Sequence, residues 1–107
     1  MELPHDSPDV RHAHHLYVVR IDFKKIRKSR KLVMGNLRRL GISTQVHYIP
    51  VYRHPYYQNR YKIRCKDFPM SEDYYSEAFS LPIYPGIRMA ELGYVINKIK
   101  KVFERFS

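Results

Sequence analysis

One pattern in the sequence most restricts how this chain can fold. A residue that can end a helix is followed by strand-like alternation and then by a proline. Gly41 suits the positive φ angle at which many helices end. In residues 43–49 a set with Thr44, Val46 and Tyr48 alternates with one of Gln45, His47 and Ile49, a period of two that predicts a strand. Pro50 cannot donate a further ladder hydrogen bond, so the strand should end there. The segment predicts a helix, a strand and a loop in direct succession, and such strand ends often carry binding groups.

Before this segment, the sequence predicts an extended lead-in, one strand and one helix. Residues 1–13 contain two prolines, which interrupt a helix. Residues 14–23 are rich in β-branched and aromatic side chains and predict a strand. The strand face that should meet the core carries Tyr17, Val19, Ile21 and Phe23. After a basic loop, Ser29 is predicted to cap a helix that reaches Leu40.

After the segment, the sequence predicts a short helical turn, two helices and an edge strand between them. Pro55 suits the first position of the turn. Ser71 is predicted to cap the next helix, with Ala78 and Phe79 on its buried side. Residues 80–86 should be extended and limited by prolines. The last helix spans residues 89–106, and its apolar face carries Leu92, Val95, Ile96, Ile99, Phe103 and Phe106.

Together these elements predict an α+β fold with one domain. We expect a small three-stranded sheet packed with about three to four helices, in the order β-α-β-α-β-α. A chain of 107 residues can bury one core but has no room for a second domain.

The charge balance points to anionic partners. Lysine and arginine total 20 against 10 aspartate and glutamate residues, a net charge of +10. Such an excess can bind nucleic acid, nucleotides or an anionic membrane; the alternatives are a solvated basic surface, or one face of a larger protein whose acidic counterpart is missing. The tyrosines do not form the glycine-flanked aromatic pattern of an RNA-stacking strand. Nucleic-acid binding by a free-standing module therefore remains an alternative function, although no sequence motif supports it.

Several other classes of protein are disfavoured. The single cysteine, Cys65, excludes an internal disulfide and fits a reducing compartment. No apolar run approaches the length of a membrane span. The start of the chain is rich in proline, aspartate and histidine and lacks the apolar stretch of a signal peptide. We therefore expect a cytoplasmic protein.

The residues by themselves predict no complete catalytic or metal site. His12, His14 and His15 form an H-x-H-H pattern, but two histidines on one strand face are too few for a structural zinc. Cys65 lies between two basic residues, yet no general base is placed beside it. The chain has no phosphate-binding glycine-rich loop, no G-x-S-x-G and no H-E-x-x-H.

Three blocks of sequence resemble the C-terminal small domain of the DegT/DnrJ/StrS nucleotide-sugar aminotransferases, in the same order. The first is HLYVVR at residues 15–20. The second runs from Ser29 through the glycine stop to HYIP at 47–50 and YY at 56–57. The third is SLPIYP at 80–85, followed by the final helix. The sequence of these blocks is most similar to that of enzymes that aminate a 4-keto UDP-sugar toward pseudaminic or related nonulosonic acids.

The resemblance implies a pyridoxal-phosphate (PLP) enzyme of fold type I, acting on a UDP- or dTDP-sugar with an amino-acid donor. In that family the large domain supplies the Schiff-base lysine and the aspartate that holds the pyridine nitrogen. No lysine here matches the cofactor lysine. We therefore expect a C-terminal domain or fragment that binds no cofactor and is inactive alone.

The resemblance also implies that this domain walls one side of the active-site cleft. The residues predicted to bind substrate are His47, Tyr48, Pro50 and Tyr84. For His47 the alternative is a strand-end imidazole bonded to local backbone, and for Tyr84 it is packing. The arginines that could meet a diphosphate are Arg20, Arg30, Arg53 and Arg60, with solvation as the alternative for each.

The faces that meet the large domain in the family should be exposed in this chain. They are expected to include Tyr52, Tyr56 and Tyr57. Exposed apolar patches of this kind promote association, so we expect the chain to self-associate.

Overall fold

A two-stranded antiparallel sheet joins the two halves of the chain. The computed structural model describes residues 1–106. In it, β1 (Tyr17–Arg20) pairs with β2 (Ala78–Leu81), with Tyr17 opposite Leu81. The α+β class is confirmed.

The first strand presents the predicted face to the core. Val19 and Ile21 are buried, and Tyr17 and Phe23 are half-buried against the same core. The regular pairing covers only four residues of the predicted 14–23. On the other edge of β1, a single bridge pairs Arg20 with Glu2 of the lead-in.

The prediction that residues 43–49 form a strand of the sheet is wrong. Within residues 1–106, this segment makes one isolated bridge, from Gln45 to Ser80, and no ladder. A strand is stabilised when one of its faces is buried, and neither face of this segment is. Tyr48 is 71% exposed and Ile49, on the other face, is 52% exposed. The alternation in the sequence therefore has no core to face, and the chain leaves the sheet after Gln45.

The first helix follows the sequence prediction closely. Helix α1 (Arg30–Arg39) begins after Ser29, whose hydroxyl accepts a hydrogen bond from the Leu32 amide. Val33 and Leu37 on one face are fully buried. Gly41 then takes a φ angle of 80°, which glycine adopts without strain. The helix thus lies with its apolar stripe on the core.

The middle of the chain folds into two helices, and the second differs from the prediction. Helix α2 (Pro55–Tyr61) begins at its proline as expected. Helix α3 (Pro69–Glu77) also begins at a proline, so Ser71 lies inside its first turn and is not its cap. Ala78 and Phe79 are buried, but in β2, because the helix ends before them.

The last helix, α4 (Met89–Glu104), completes the core with a slightly rotated face. Ile99 and Val102 are buried, whereas Ile96, predicted on the apolar face, is 54% exposed. Val102 lies three residues after Ile99 and therefore shares its face. The buried core consists of Val19, Ile21, Val33, Leu37, Ile42, Phe79, Ile99 and Val102. Among the described residues, no helix combines the length and apolarity needed to cross a membrane.

Candidate functional site

A groove beside helix α3 brings together three of the four residues predicted to bind substrate. His47, Tyr48 and Pro50 line this α3 groove, whose volume is about 550 Å³. They lie on the loop that leaves the sheet after the Gln45–Ser80 bridge. Other side chains that line it are Arg20, Met70, Ser71, Asp73, Tyr74 and Tyr75. The segment that was predicted as a strand, residues 43–49, thus contributes to one side of the groove.

The imidazole of His47 is held by a buried serine. Its Nδ1 atom lies 2.8 Å from the hydroxyl oxygen of Ser80, which is only 5% exposed. The main chain of Ser80 is itself fixed by hydrogen bonds to Gln45, of 2.6 Å from its amide and 3.3 Å to its carbonyl. The Nε2 atom of His47 makes no hydrogen bond to the described residues. The ring is therefore oriented on one side and has a polar atom available on the other.

Tyr48 stands at the rim of the groove. Its ring is 71% exposed and meets the His47 ring edge-on, with 4.7 Å between centroids. An exposed aromatic ring next to an oriented imidazole suits contact with a sugar or a base.

The end of the groove loop is tied to α3 by one carboxylate. The short 3₁₀ turn Val51–Arg53 directly follows Pro50. Tyr52 donates a 2.8 Å hydrogen bond from its hydroxyl to Glu72, and the Arg53 Nε donates one of 2.9 Å to the same oxygen. A second Arg53 nitrogen donates to the other oxygen of Glu72. These bonds fix the loop at its far end, as Ser80 does at its near end.

The same contacts shift two pKa values. The hydrogen bonds from Arg53 and Tyr52 lower the pKa of Glu72 to about 2. Burial, together with the bond to Glu72, raises the pKa of Tyr52 to about 12. Tyr52 was predicted to be exposed and is not, because its ring stacks on Phe68 at 4.5 Å and only 9% of it remains accessible. Tyr56 and Tyr57, predicted with it, are exposed.

Three of the four candidate arginines have partners inside the fold. Arg20 donates a 2.7 Å hydrogen bond to Glu77, and Arg30 donates one of 3.0 Å to the Ala78 carbonyl and another to the Tyr75 carbonyl. Arg53 is bound to Glu72 as described, and Arg60 is exposed, with its guanidinium 5.7 Å from the centroid of the Tyr61 ring. Arg20 is the one that also lines the α3 groove.

Tyr84 lies in a different place from the other predicted site residues. It lines a second groove of about 460 Å³ with Gly41 and residues of α4. Its hydroxyl donates a hydrogen bond to Glu91, which also accepts one of 2.8 Å from Arg88. These bonds raise the pKa of Tyr84 and lower that of Glu91.

The histidines near the start of the chain do not gather into a metal site. The rings of His12 and His14 stack at 4.3 Å, and the Nδ1 of His12 accepts a hydrogen bond from the His14 amide. Across residues 1–106, no group of three or more potential ligands is placed to hold a metal ion. Cys65 is half-buried on a short turn.

The sequence did not single out Ser80 or Glu72 for these roles. Ser80 lay in the resemblance block SLPIYP, and Glu72 was assigned to a helix start. Their partners are 33 and 20 residues away, a separation that no local pattern reports.

The fold occurs in solved sugar aminotransferases. It superposes on Helicobacter pylori PseC, described as an aminotransferase involved in the biosynthesis of pseudoaminic acid, with a TM-score of 0.76 and 28% identity. The match covers 85% of this chain and 24% of that one. The chain thus has the fold of one part of an aminotransferase.

Sequence comparison gives the family. Residues 1–100 match the sequence model of the DegT/DnrJ/EryC1/StrS aminotransferase family, and the chain belongs to this family. It is 39% identical over 100 residues to the spore coat polysaccharide biosynthesis protein SpsC of Bacillus subtilis, covering 92% of this chain and 26% of the relative. It is 28% identical to the UDP-4-amino-4,6-dideoxy-N-acetyl-beta-L-altrosamine transaminase of Helicobacter pylori, covering 89% and 24%. The chain therefore spans about a quarter of the length of these relatives.

The lysines of this chain do not fit the cofactor of an aminotransferase. PLP is held through a lysine placed in an enclosed pocket with groups that tune the ring. Every lysine of the described chain is exposed or half-buried, and none lines the α3 groove.

Proposed function

We propose that this chain acts as the small domain of a PLP-dependent nucleotide-sugar aminotransferase and forms one wall of the sugar-nucleotide cleft. Residues 1–13 are the lead-in and residues 14–107 the domain. The observation that carries the proposal is the convergence of His47, Tyr48 and Pro50 on a single groove. These residues lie within a chain that belongs to the DegT/DnrJ/EryC1/StrS family.

Each wall residue has a role that follows from its placement. The free Nε2 of His47 hydrogen-bonds an oxygen of the UDP- or dTDP-sugar, because its Nδ1 is already bound to Ser80. The exposed ring of Tyr48 packs on the sugar or base. Pro50 ends the loop and directs the chain into the anchored turn at Tyr52. Tyr84, in its separate groove, contacts substrate only at a second point of the cleft.

The cofactor chemistry and the amino-acid donor site belong to the part of the relatives that this chain does not span. The large domain supplies the lysine that carries PLP, which acts as an electron sink for amino-group transfer. The 107 residues alone therefore do not transaminate. Exposed apolar side chains around the α3 groove, such as Ile49 and Val51, make the contacts between domains or subunits.

A chimera tests this proposal. Residues 1–107 would replace the aligned quarter of the Helicobacter pylori transaminase, and activity would be measured with the 4-keto form of the UDP-amino sugar of its name and an amino acid as donor. We expect transamination from the chimera and none from the isolated chain. Activity of the isolated chain, or an inactive chimera that folds and binds PLP, would contradict the proposal.

The net charge of +10 favours one alternative, a nucleic-acid-binding module. Titrating the chain with DNA and with RNA at two salt concentrations separates the two functions. Micromolar binding that falls steeply with salt would support the alternative.

A further inference from the structure

Ser80 occupies an unusual position for a hydroxyl group. It lies in the middle of β2, opposite Val18 of β1, and is the one buried polar side chain of the described core. A buried hydroxyl needs a partner for its proton. The hydroxyl of Ser80 has one hydrogen-bond partner among the described residues, the Nδ1 of His47 at 2.8 Å.

The direction of this hydrogen bond follows from that single partner. If the Nδ1 of His47 carried the proton, the Ser80 hydroxyl would accept it and its own proton would be buried without an acceptor. If the hydroxyl donates instead, both groups are satisfied. The donating arrangement leaves Nδ1 without a proton and places the proton of the neutral imidazole on Nε2.

Main-chain hydrogen bonds place His47 near Ser80. Gln45 pairs with Ser80, and His47 lies only two residues further along the chain, close enough for its ring to reach the serine hydroxyl. The main-chain bonds between Gln45 and Ser80 hold both ends of the arrangement. The imidazole of His47, which lies on the loop after the bridge, is therefore held by a residue of β2.

We propose that Ser80 is a positioning residue that holds His47 in the tautomer with the proton on Nε2. The α3 groove then offers an N–H donor, which binds an acceptor oxygen: a phosphoryl oxygen or a sugar hydroxyl oxygen of the nucleotide sugar. A proton added at Nδ1 would reverse this bond and leave the Ser80 proton buried without an acceptor, so in this arrangement His47 binds substrate and does not act as a base. The ligand assignment rests on the proposed function; the tautomer does not.

The tautomer can be measured on the chain itself. A long-range nitrogen–proton correlation spectrum, recorded above the pH range in which histidine normally titrates, distinguishes protonated from unprotonated ring nitrogens. We expect His47 to show an unprotonated Nδ1. Ser80→Ala should turn this into a mixture of tautomers, Ser80→Thr should restore it, and Ser76→Ala, which removes an exposed hydroxyl bonded to a helix carbonyl, should leave it unchanged.

Two results would overturn the proposal: a protonated Nδ1 in the parent chain, or an unchanged tautomer in Ser80→Ala. The backbone amide spectrum of each variant shows whether the fold is retained, and the tautomer of the parent chain decides the proposal if Ser80→Ala unfolds. In the chimera, Ser80→Ala should raise the KM for the nucleotide sugar about threefold without changing the KM for the amino acid. If His47→Ala changes no kinetic constant, the proposed function fails while the tautomer result still stands.

Discussion

Tyr52 and Glu72 are joined by a 2.8 Å hydrogen bond that ties the groove loop to helix α3. The tyrosine lies in the turn after Pro50, and the glutamate in the first turn of the helix. Arg53 adds two charged hydrogen bonds to the same carboxylate. Because charge-assisted bonds are stronger than neutral ones, this contact should determine how firmly the loop is held.

Glu72→Gln should destabilise the chain at neutral pH. The amide can still accept one hydrogen bond, but it no longer carries the charge that Arg53 faces. We expect a lower midpoint in urea unfolding with an unchanged slope, since the surface exposed on unfolding stays the same. Asp73→Asn, which removes the neighbouring exposed carboxylate, is the matched control and should have little effect. Equal midpoints for the two variants would count against the anchor.

Stability should decline at both acid and alkaline pH. The pKa of Glu72 is lowered from 4.5 to about 2, so its contribution is complete above about 4.5 and is lost as the pH falls toward 2. The pKa of Tyr52 is raised from 10.0 to about 12, so its contribution is complete below about 10 and is lost as the pH rises toward 12. Urea midpoints measured across the pH range would show both limbs.

Variants assign each limb of that profile to its residue. Tyr52→Phe should flatten the alkaline limb, and Glu72→Gln the acid limb, because each removes the group that titrates. Limbs of unchanged steepness in the two variants would show that other groups control the profile.

The core can be tested with two leucines of helix α1. Leu37 is fully buried, so Leu37→Ala should lower the free energy of unfolding by about 2–5 kcal/mol. Leu32 lies on the same helix and is 45% exposed, so Leu32→Ala should change it by no more than about 0.5 kcal/mol. Chemical denaturation measures both. Similar losses would mean that the helix packs through another face.

The chain should self-associate through the apolar side chains beside the α3 groove. Ile49 and Val51 are 52% and 60% exposed, and Met70, which lines the groove, is 85% exposed. Ile49→Asp should weaken association measured by sedimentation equilibrium. Ile96→Asp is the control, because Ile96 is 54% exposed on α4, away from these residues in the sequence. A chain that stays monomeric at millimolar concentration would contradict this prediction.

The ends of helix α1 could be predicted because their signals are local. Ser29 and Gly41 mark α1 through a side-chain cap and a positive φ angle, both of which depend only on neighbouring residues. Whether residues 43–49 form a strand could not be predicted from neighbouring residues. Their alternation was visible, but whether either face meets a core is decided by distant residues, and neither face does.

For the same reason, only part of the candidate site could be predicted from the sequence. The family resemblance pointed to His47, Tyr48 and Pro50, and these three line one groove. The residues that hold the groove in shape, Ser80 and Glu72, contact partners far away in the sequence. Only the folded chain shows that the loop is fixed at both ends.

The most direct test of the substrate-wall role is the KM for the nucleotide sugar of the chimera carrying His47→Ala. A hydrogen bond contributes about 1–1.5 kcal/mol, so its loss should raise this KM about tenfold and leave the KM for the amino acid unchanged. His54→Ala, which replaces an exposed histidine outside the groove, should change neither. If His47→Ala leaves the KM for the nucleotide sugar at the parent value, the α3 groove is not the wall of the substrate cleft.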